Sequence, residues 1–135
     1  MELPIGMLLR PLTVGPITIE ELVEWAVVSG DGNPLHFDTH IARSQGFPDV
    51  LVSGAFKMSL VYRMLEESTG AGWRIKRLMC RNASIDTPPC TLTIEGRIER
   101  AEDGPPATRG ARIRVVNEAG VATVLATAEL VQRSY

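Results

Sequence analysis

The spacing of apolar residues changes once along this chain, and that change limits the fold more than any other feature. Between about Thr18 and Gly70 the apolar residues recur at helical intervals; from Trp73 onward they alternate with polar residues, as on half-buried strands. Helices first and strands afterwards predict an α+β fold in which one long helix packs on the face of a curved antiparallel sheet. With 135 residues, 44% of them apolar and 22% charged, the chain has material for one core, and a single domain spanning 1–135 is expected.

Thr18 with Glu21 three residues later has the pattern of a capping box, so a helix is predicted from there to Ser29-Gly30. Ile19, Leu22, Val23, Ala26 and Val27 form a stripe that should face a core. Asn33-Pro34 marks a second, short helix, with Asn33 as cap and Pro34 at the first helical position, ending near Gly46 before Pro48. A third helix, the most buried, is predicted from Ser53 or Gly54 to Glu67; Phe56, Leu60, Val61, Met64 and Leu65 recur along it, and Gly70 and Gly72 close it. Beyond Trp73, Leu92, Ile94 and Ile98 define one face of a strand whose other face carries Thr91, Thr93, Glu95, Arg97 and Glu99. A turn at Asp103 to Pro106, a run from Ala111 to Asn117 and a last run ending near Arg133 bring the total to three or four antiparallel strands joined by hairpins.

A formal charge of −2 provides no basic field to attract nucleic acid or an anionic membrane surface, so neither is expected as a partner. No run approaches the roughly 20 apolar residues of a membrane-spanning helix, and the first ten residues lack the basic start and cleavage site of a signal peptide. A cytoplasmic protein is expected. Cys80 and Cys90 have no histidine at zinc-like spacing and read as buried free thiols, so no metal site is expected.

The chemistry is concentrated in Ser29-Gly30-Asp31-Gly32-Asn33-Pro34-Leu35-His36. If Asn33 caps a helix, Asp31 lies in the loop before it and His36 in its first turn, so a carboxylate and an imidazole can converge on one water molecule, as general acid–base catalysis requires. Asp, Gly, Asn and Pro are also ordinary turn residues, and the spacing alone favours that plainer reading. Lys57, Arg63, Arg74, Lys76, Arg77 and Arg81 form a basic stretch that could meet phosphates but reads more simply as a solvated face. Trp25, Trp73, Phe56 and Met58 read as core, and His40 as a surface helix residue.

Gly30 to His36, followed by Phe37-Asp38, resembles the signature of the MaoC-like, or (R)-specific enoyl-CoA hydratase, family. The segment Gly46-Phe47-Pro48-Asp49-Val50-Leu51-Val52-Ser53-Gly54 resembles the lead into that family's central helix, and Arg77 to Leu92 its next strand, turn and strand start. The resemblance implies the hot-dog fold, a long helix wrapped by an antiparallel sheet. It implies reversible addition of water to a 2-enoyl thioester carried on coenzyme A or phosphopantetheine, in acyl-lipid metabolism. Asp31 and His36 would hold the water, the Gly54 backbone N–H would stabilise the oxyanion, and Asn33 and Ser53 would support them; no cofactor is implied. Partners would be the acyl-thioester substrate and a second hot-dog subunit, either an identical copy or a related chain. Two departures stand out: Ser53-Gly54 replaces the frequent His-Gly, and Pro89-Cys90 replaces a frequent Gly-Asp turn. Two other readings stay open, a hot-dog acyl-thioesterase and a noncatalytic subunit of a heteromeric hydratase.

Overall fold

Helix α1 runs Ile19–Ser29, with the Thr18 side chain accepting the Glu21 N–H and Gly30 ending it at φ 72°, a left-handed conformation that costs glycine little. The computed structural model in which this is seen describes residues 1–134. The predicted second helix is two pieces. A single 3-10 turn, Pro34–His36, is capped by Asn33, and helix α2, Thr39–Ser44, has its own cap in Asp38, whose side chain accepts the Ile41 N–H. Asp38 competes for the backbone as Asn33 does, so the chain restarts there. The long helix α3 covers Gly54–Thr69; Ser53 accepts the Phe56 N–H at its start and Gly70 closes it.

Among the described residues, five strands, one or two more than the alternation predicts, follow the order β1-β3-β4-β5-β2 in one antiparallel sheet: β1 Leu12–Ile17, β2 Trp73–Asn82, β3 Cys90–Glu102, β4 Thr108–Val116 and β5 Ala122–Gln132. The last three form the expected hairpin meander, whereas β2 crosses to the far edge to pair with β5. Register shifts at Ile75/Arg77 and Ile98/Arg100 mark irregularities of the kind that bend a sheet. Leu92, Ile94 and Ile98 are fully buried, as the alternation requires. The residues before β1 lie along β3, with Gly6 and Leu9 donating to Ile98 and Gly96 and with Leu3 and Leu9 buried.

The two main helices are anchored very differently. Leu60, Val61, Met64 and Leu65 bury α3 against the sheet, at about 1.5–3 kcal/mol for each fully buried aliphatic side chain. On α1 only Leu22 is buried, with Ile19 and Ala26 half-buried; Val23 and Val27, the latter 78% exposed, face solvent, so the predicted core-facing stripe is only partly covered, and Val28 beside it is 83% exposed. Met58 is likewise exposed, Trp73 is buried, and Trp25 and Phe56 are half-buried and meet edge to face at 5.5 Å. The Trp25 indole N–H is buried without an acceptor among the described residues.

Candidate active site

The loop between α1 and the 3-10 turn is built from short-range hydrogen bonds. Asp31 accepts the Asn33 N–H through Oδ1 at 3.2 Å, and Asn33 in turn accepts the Leu35 N–H at 3.1 Å. The Ser29 hydroxyl accepts the Asp31 N–H at 3.3 Å. Each bond spans two residues, so the local sequence suffices to form it. Asp31 Oδ2 is thereby left free to face His36.

His36 is fixed by a longer-range contact. Its Nδ1 lies 2.9 Å from the Leu51 carbonyl, and the Leu51 N–H donates to the Leu35 carbonyl at 2.8 Å. A carbonyl can only accept, so Nδ1 carries the hydrogen and, in the neutral ring, Nε2 presents its lone pair. Nε2 stands 3.9 Å from Asp31 Oδ2, with side-chain exposures of 17% and 35%. That separation is too long for a direct hydrogen bond. Asp31 and His36 are thus brought together as the sequence predicts, although His36 ends a 3-10 turn instead of opening a helix.

Leu51, which holds His36, is three residues from Gly54, so the helix start lies within about 11 Å along the chain. Gly54 is the first residue of α3, and its N–H has no acceptor among the described residues. Ser53 is 2% exposed and caps the helix. The Asn82 carboxamide at the end of β2, which the sequence did not single out, lies over Gly54: a Cβ there would sit 3.0 Å from Asn82 Cγ and closer still to Nδ2. Only glycine leaves room for this side chain as it stands.

Lys57 is misplaced by the sequence reading. It is no part of a solvated basic face: it is 2% exposed, and its Nζ lies 2.7 Å from Asp86 Oδ2. A signal was present, since Lys57 falls on the same stripe as Leu60, Val61 and Met64. Arg63, Arg74, Lys76, Arg77 and Arg81 do face solvent, Arg63 paired with Glu67 and Lys76 with Glu129. His40 is exposed, as read. At the other departure, Cys90 opens β3 opposite Ile17 and is buried, while Cys80 is half-buried; both are free thiols. Burial and the Asp86 carboxylate push the Cys90 thiol up to about 11.

A cavity of about 840 Å³ lies elsewhere on the sheet, lined by Met79, Arg81, Arg112, Arg114 and Leu125 among others; none of Asp31, His36 or Gly54 lines it. No helix among the described residues is long and apolar enough to cross a membrane.

Three comparisons bear on this geometry. The family model described as "MaoC like domain" matches residues 5–118. A curated relative, the mitochondrial 3-hydroxyacyl-[acyl-carrier-protein] dehydratase of Arabidopsis thaliana, is 40% identical over 63 residues, 47% of this chain and 37% of the relative, so the chain spans little more than a third of the curated protein it matches. Among solved structures, the ChsH1-ChsH2 complex from Mycobacterium tuberculosis has a chain 25% identical, with a TM-score of 0.86 over 96% of this chain and 98% of that one. The (R)-hydratase from A. caviae involved in PHA biosynthesis superposes with a TM-score of 0.88 at 20% identity, over 97% of this chain and 98% of that one, and shares the hot-dog fold.

Proposed function

The chain belongs to the MaoC-like domain family, and from that premise we propose that it is an (R)-specific enoyl-thioester hydratase, or 3-hydroxyacyl-thioester dehydratase in the reverse direction. The observation that carries the proposal is the 3.9 Å gap between Asp31 Oδ2 and His36 Nε2, with the Nδ1 hydrogen already committed to Leu51. A water about 2.8 Å from both atoms subtends an angle of about 90°, which suits its two hydrogen-bonding directions. Hydration then proceeds as follows. The water oxygen bonds to C3 of the 2-enoyl thioester while the pair takes up one water proton. The electrons displaced from the C2–C3 π bond form an enolate with its negative charge on the thioester carbonyl oxygen; the carbonyl then re-forms as the enolate C1–C2 π electrons take the proton held by the Asp31–His36 pair, making the C2–H bond. Dehydration reverses each step.

The negative charge that develops on the carbonyl oxygen calls for a preorganised donor. The Gly54 N–H fits: it is unpaired, at the N-terminus of a 16-residue helix, where the dipole favours an anion. Asn33 and Ser53 serve as caps that hold Asp31 and the helix start in place. The substrate is an acyl chain on coenzyme A or phosphopantetheine, and no cofactor takes part in the proton transfers. Asp31 and His36 are partly exposed, and β1 and β2 are the outer strands of the sheet. A second hot-dog subunit, identical or related, would complete the acyl-binding site; the similarity to a chain of the ChsH1-ChsH2 complex supports the heteromeric version.

The test is crotonyl-thioester hydration by the purified chain. Asp31→Asn and His36→Ala, each folded, are expected to lose at least about a hundredfold; near-normal rates in either reject the mechanism. Release of free thiol from a saturated acyl-CoA would assign thioesterase chemistry instead.

A further inference from the structure

Beneath the start of α3 lies a buried ionic cluster that the proton transfers do not use. Lys57, Asp86 and Thr123 are 2%, 5% and 0% exposed. Asp86 Oδ2 receives the Lys57 ammonium at 2.7 Å and the Thr123 hydroxyl at 2.6 Å, and Oδ1 receives the Asn117 carboxamide at 3.0 Å. Lys57 Nζ also donates to Thr123 Oγ1 at 3.3 Å and to the Ser84 carbonyl at 3.5 Å. Every charged atom of the pair is therefore partnered.

The cluster grips α3 from both sides of its first residue. The Asp86 carbonyl accepts the Val52 N–H at 2.9 Å while its carboxylate holds Lys57, so one residue clamps both ends of the Val52–Lys57 segment, with Ser53 and Gly54 between them. Within that segment the Lys57 N–H donates to the Ser53 carbonyl at 3.1 Å. The Thr123 carbonyl accepts from Ala83 and Ser84, which fixes the end of β2 where Asn82 covers Gly54. We infer that the Lys57–Asp86 pair is a positioning device that holds the Gly54 amide at a fixed place relative to His36, an inference that rests on Gly54 being the oxyanion donor.

Stability alone does not account for such a pair. Exchanging a buried ion pair for apolar side chains of similar volume is often neutral or stabilising, because both charges must otherwise be desolvated. An apolar pair, however, has no preferred direction and tolerates sliding, whereas two charged groups with all their hydrogen bonds made fix the distance and angle between α3 and the Asp86 loop. Displacing a catalytic donor by about 1 Å is enough to cost about a hundredfold in rate, so fixing it has a large effect. Burial pushes the Asp86 carboxyl up, but bonds from Lys57, Thr123 and Asn117 and the Lys57 charge outweigh it and keep the carboxylate ionised.

The experiment compares the wild-type chain with Lys57→Met/Asp86→Leu. The double variant is expected to melt at or above the wild-type temperature, to lose about tenfold in kcat for crotonyl-CoA hydration with KM changed less than about threefold, and to exchange the Val52 amide hydrogen, which the residue 86 carbonyl holds, about tenfold faster by NMR. A folded double variant with wild-type kcat and Val52 exchange overturns the inference. Should it fail to fold, Thr123→Val decides: a smaller loss with the same kcat-over-KM split and faster Val52 exchange supports the positioning role, and no change in either rejects it. If the wild type shows no hydratase activity, the function falls, and Val52 exchange alone decides whether the clamp exists.

Discussion

The loop that carries Asp31 and His36 and the base of α3 beneath Gly54 are joined through Leu51 to Ser53, yet they are built by opposite means. The first is partly exposed and held largely by hydrogen bonds between residues two apart, with a carboxylate oxygen and an imidazole nitrogen left unpaired across a gap. The second is buried, held by groups distant in sequence, and its charges face one another. An exposed carboxylate and imidazole can exchange protons with a substrate. A buried, saturated pair can exchange nothing and instead fixes geometry. Where ionisable groups meet, burial and saturation indicate which of these two tasks they perform.

The contrast can be broken most forcefully at Lys57. Lys57→Ala leaves Asp86 buried without its counter-ion, and a loss of about 3–5 kcal/mol in denaturant unfolding is expected; a loss below about 1 kcal/mol would show the cluster to be hydrated and the contrast false. His36→Ala, by comparison, should leave unfolding within about 1 kcal/mol of wild type while abolishing most activity, because its side chain makes one backbone hydrogen bond. Gly54→Ala drives a methyl into the Asn82 carboxamide, and about 1–3 kcal/mol of destabilisation is expected. Adding Asn82→Ala should recover most of it; no recovery would mean that backbone, not Asn82, defends the position. Asn33→Ala removes a cap and should cost about 1 kcal/mol with a several-fold loss of hydration, since Asp31 is donated to by the Asn33 N–H, which the substitution keeps.

The smallest effect is in acid. The Asp86 carboxyl is held below its ordinary value, so near pH 4 the unfolded chain binds more protons there than the folded one. Its contribution is therefore complete above about pH 4 and is lost as pH falls toward the lower folded value. Urea midpoints of the wild type should drop relative to Lys57→Met/Asp86→Leu as the pH falls below about 4; parallel curves would contradict the assignment.

Much of the candidate site could be read from the sequence because its bonds are local. Thr18 and Asn33 cap the elements their patterns predict, α3 starts at Gly54 as its periodicity predicts, and Gly30 and Gly70 end α1 and α3. The restart at Asp38 is equally local, but the stronger Asn33-Pro34 start signal five residues earlier predicts one unbroken helix and masks it. The exposure of Val27 and Val28 was not legible: periodicity shows that one side of a helix is apolar, not whether anything covers it. Lys57 was misjudged because a charged side chain on a buried stripe requires a partner, and Asp86 comes from the loop after β2.

The sequence by itself determined where most helices start and stop, the alternation that makes strands, and the turn that presents Asp31. These follow from hydrogen bonds and side-chain directions within a few residues, which chain chemistry sets. Tertiary structure alone decided the strand order β1-β3-β4-β5-β2, the placement of Asn82 over Gly54, and the closure of Asp86 on Lys57. Each of these depends on distant segments meeting, and the free energy of such a meeting belongs to the packed core as a whole, not to any stretch of sequence that enters it.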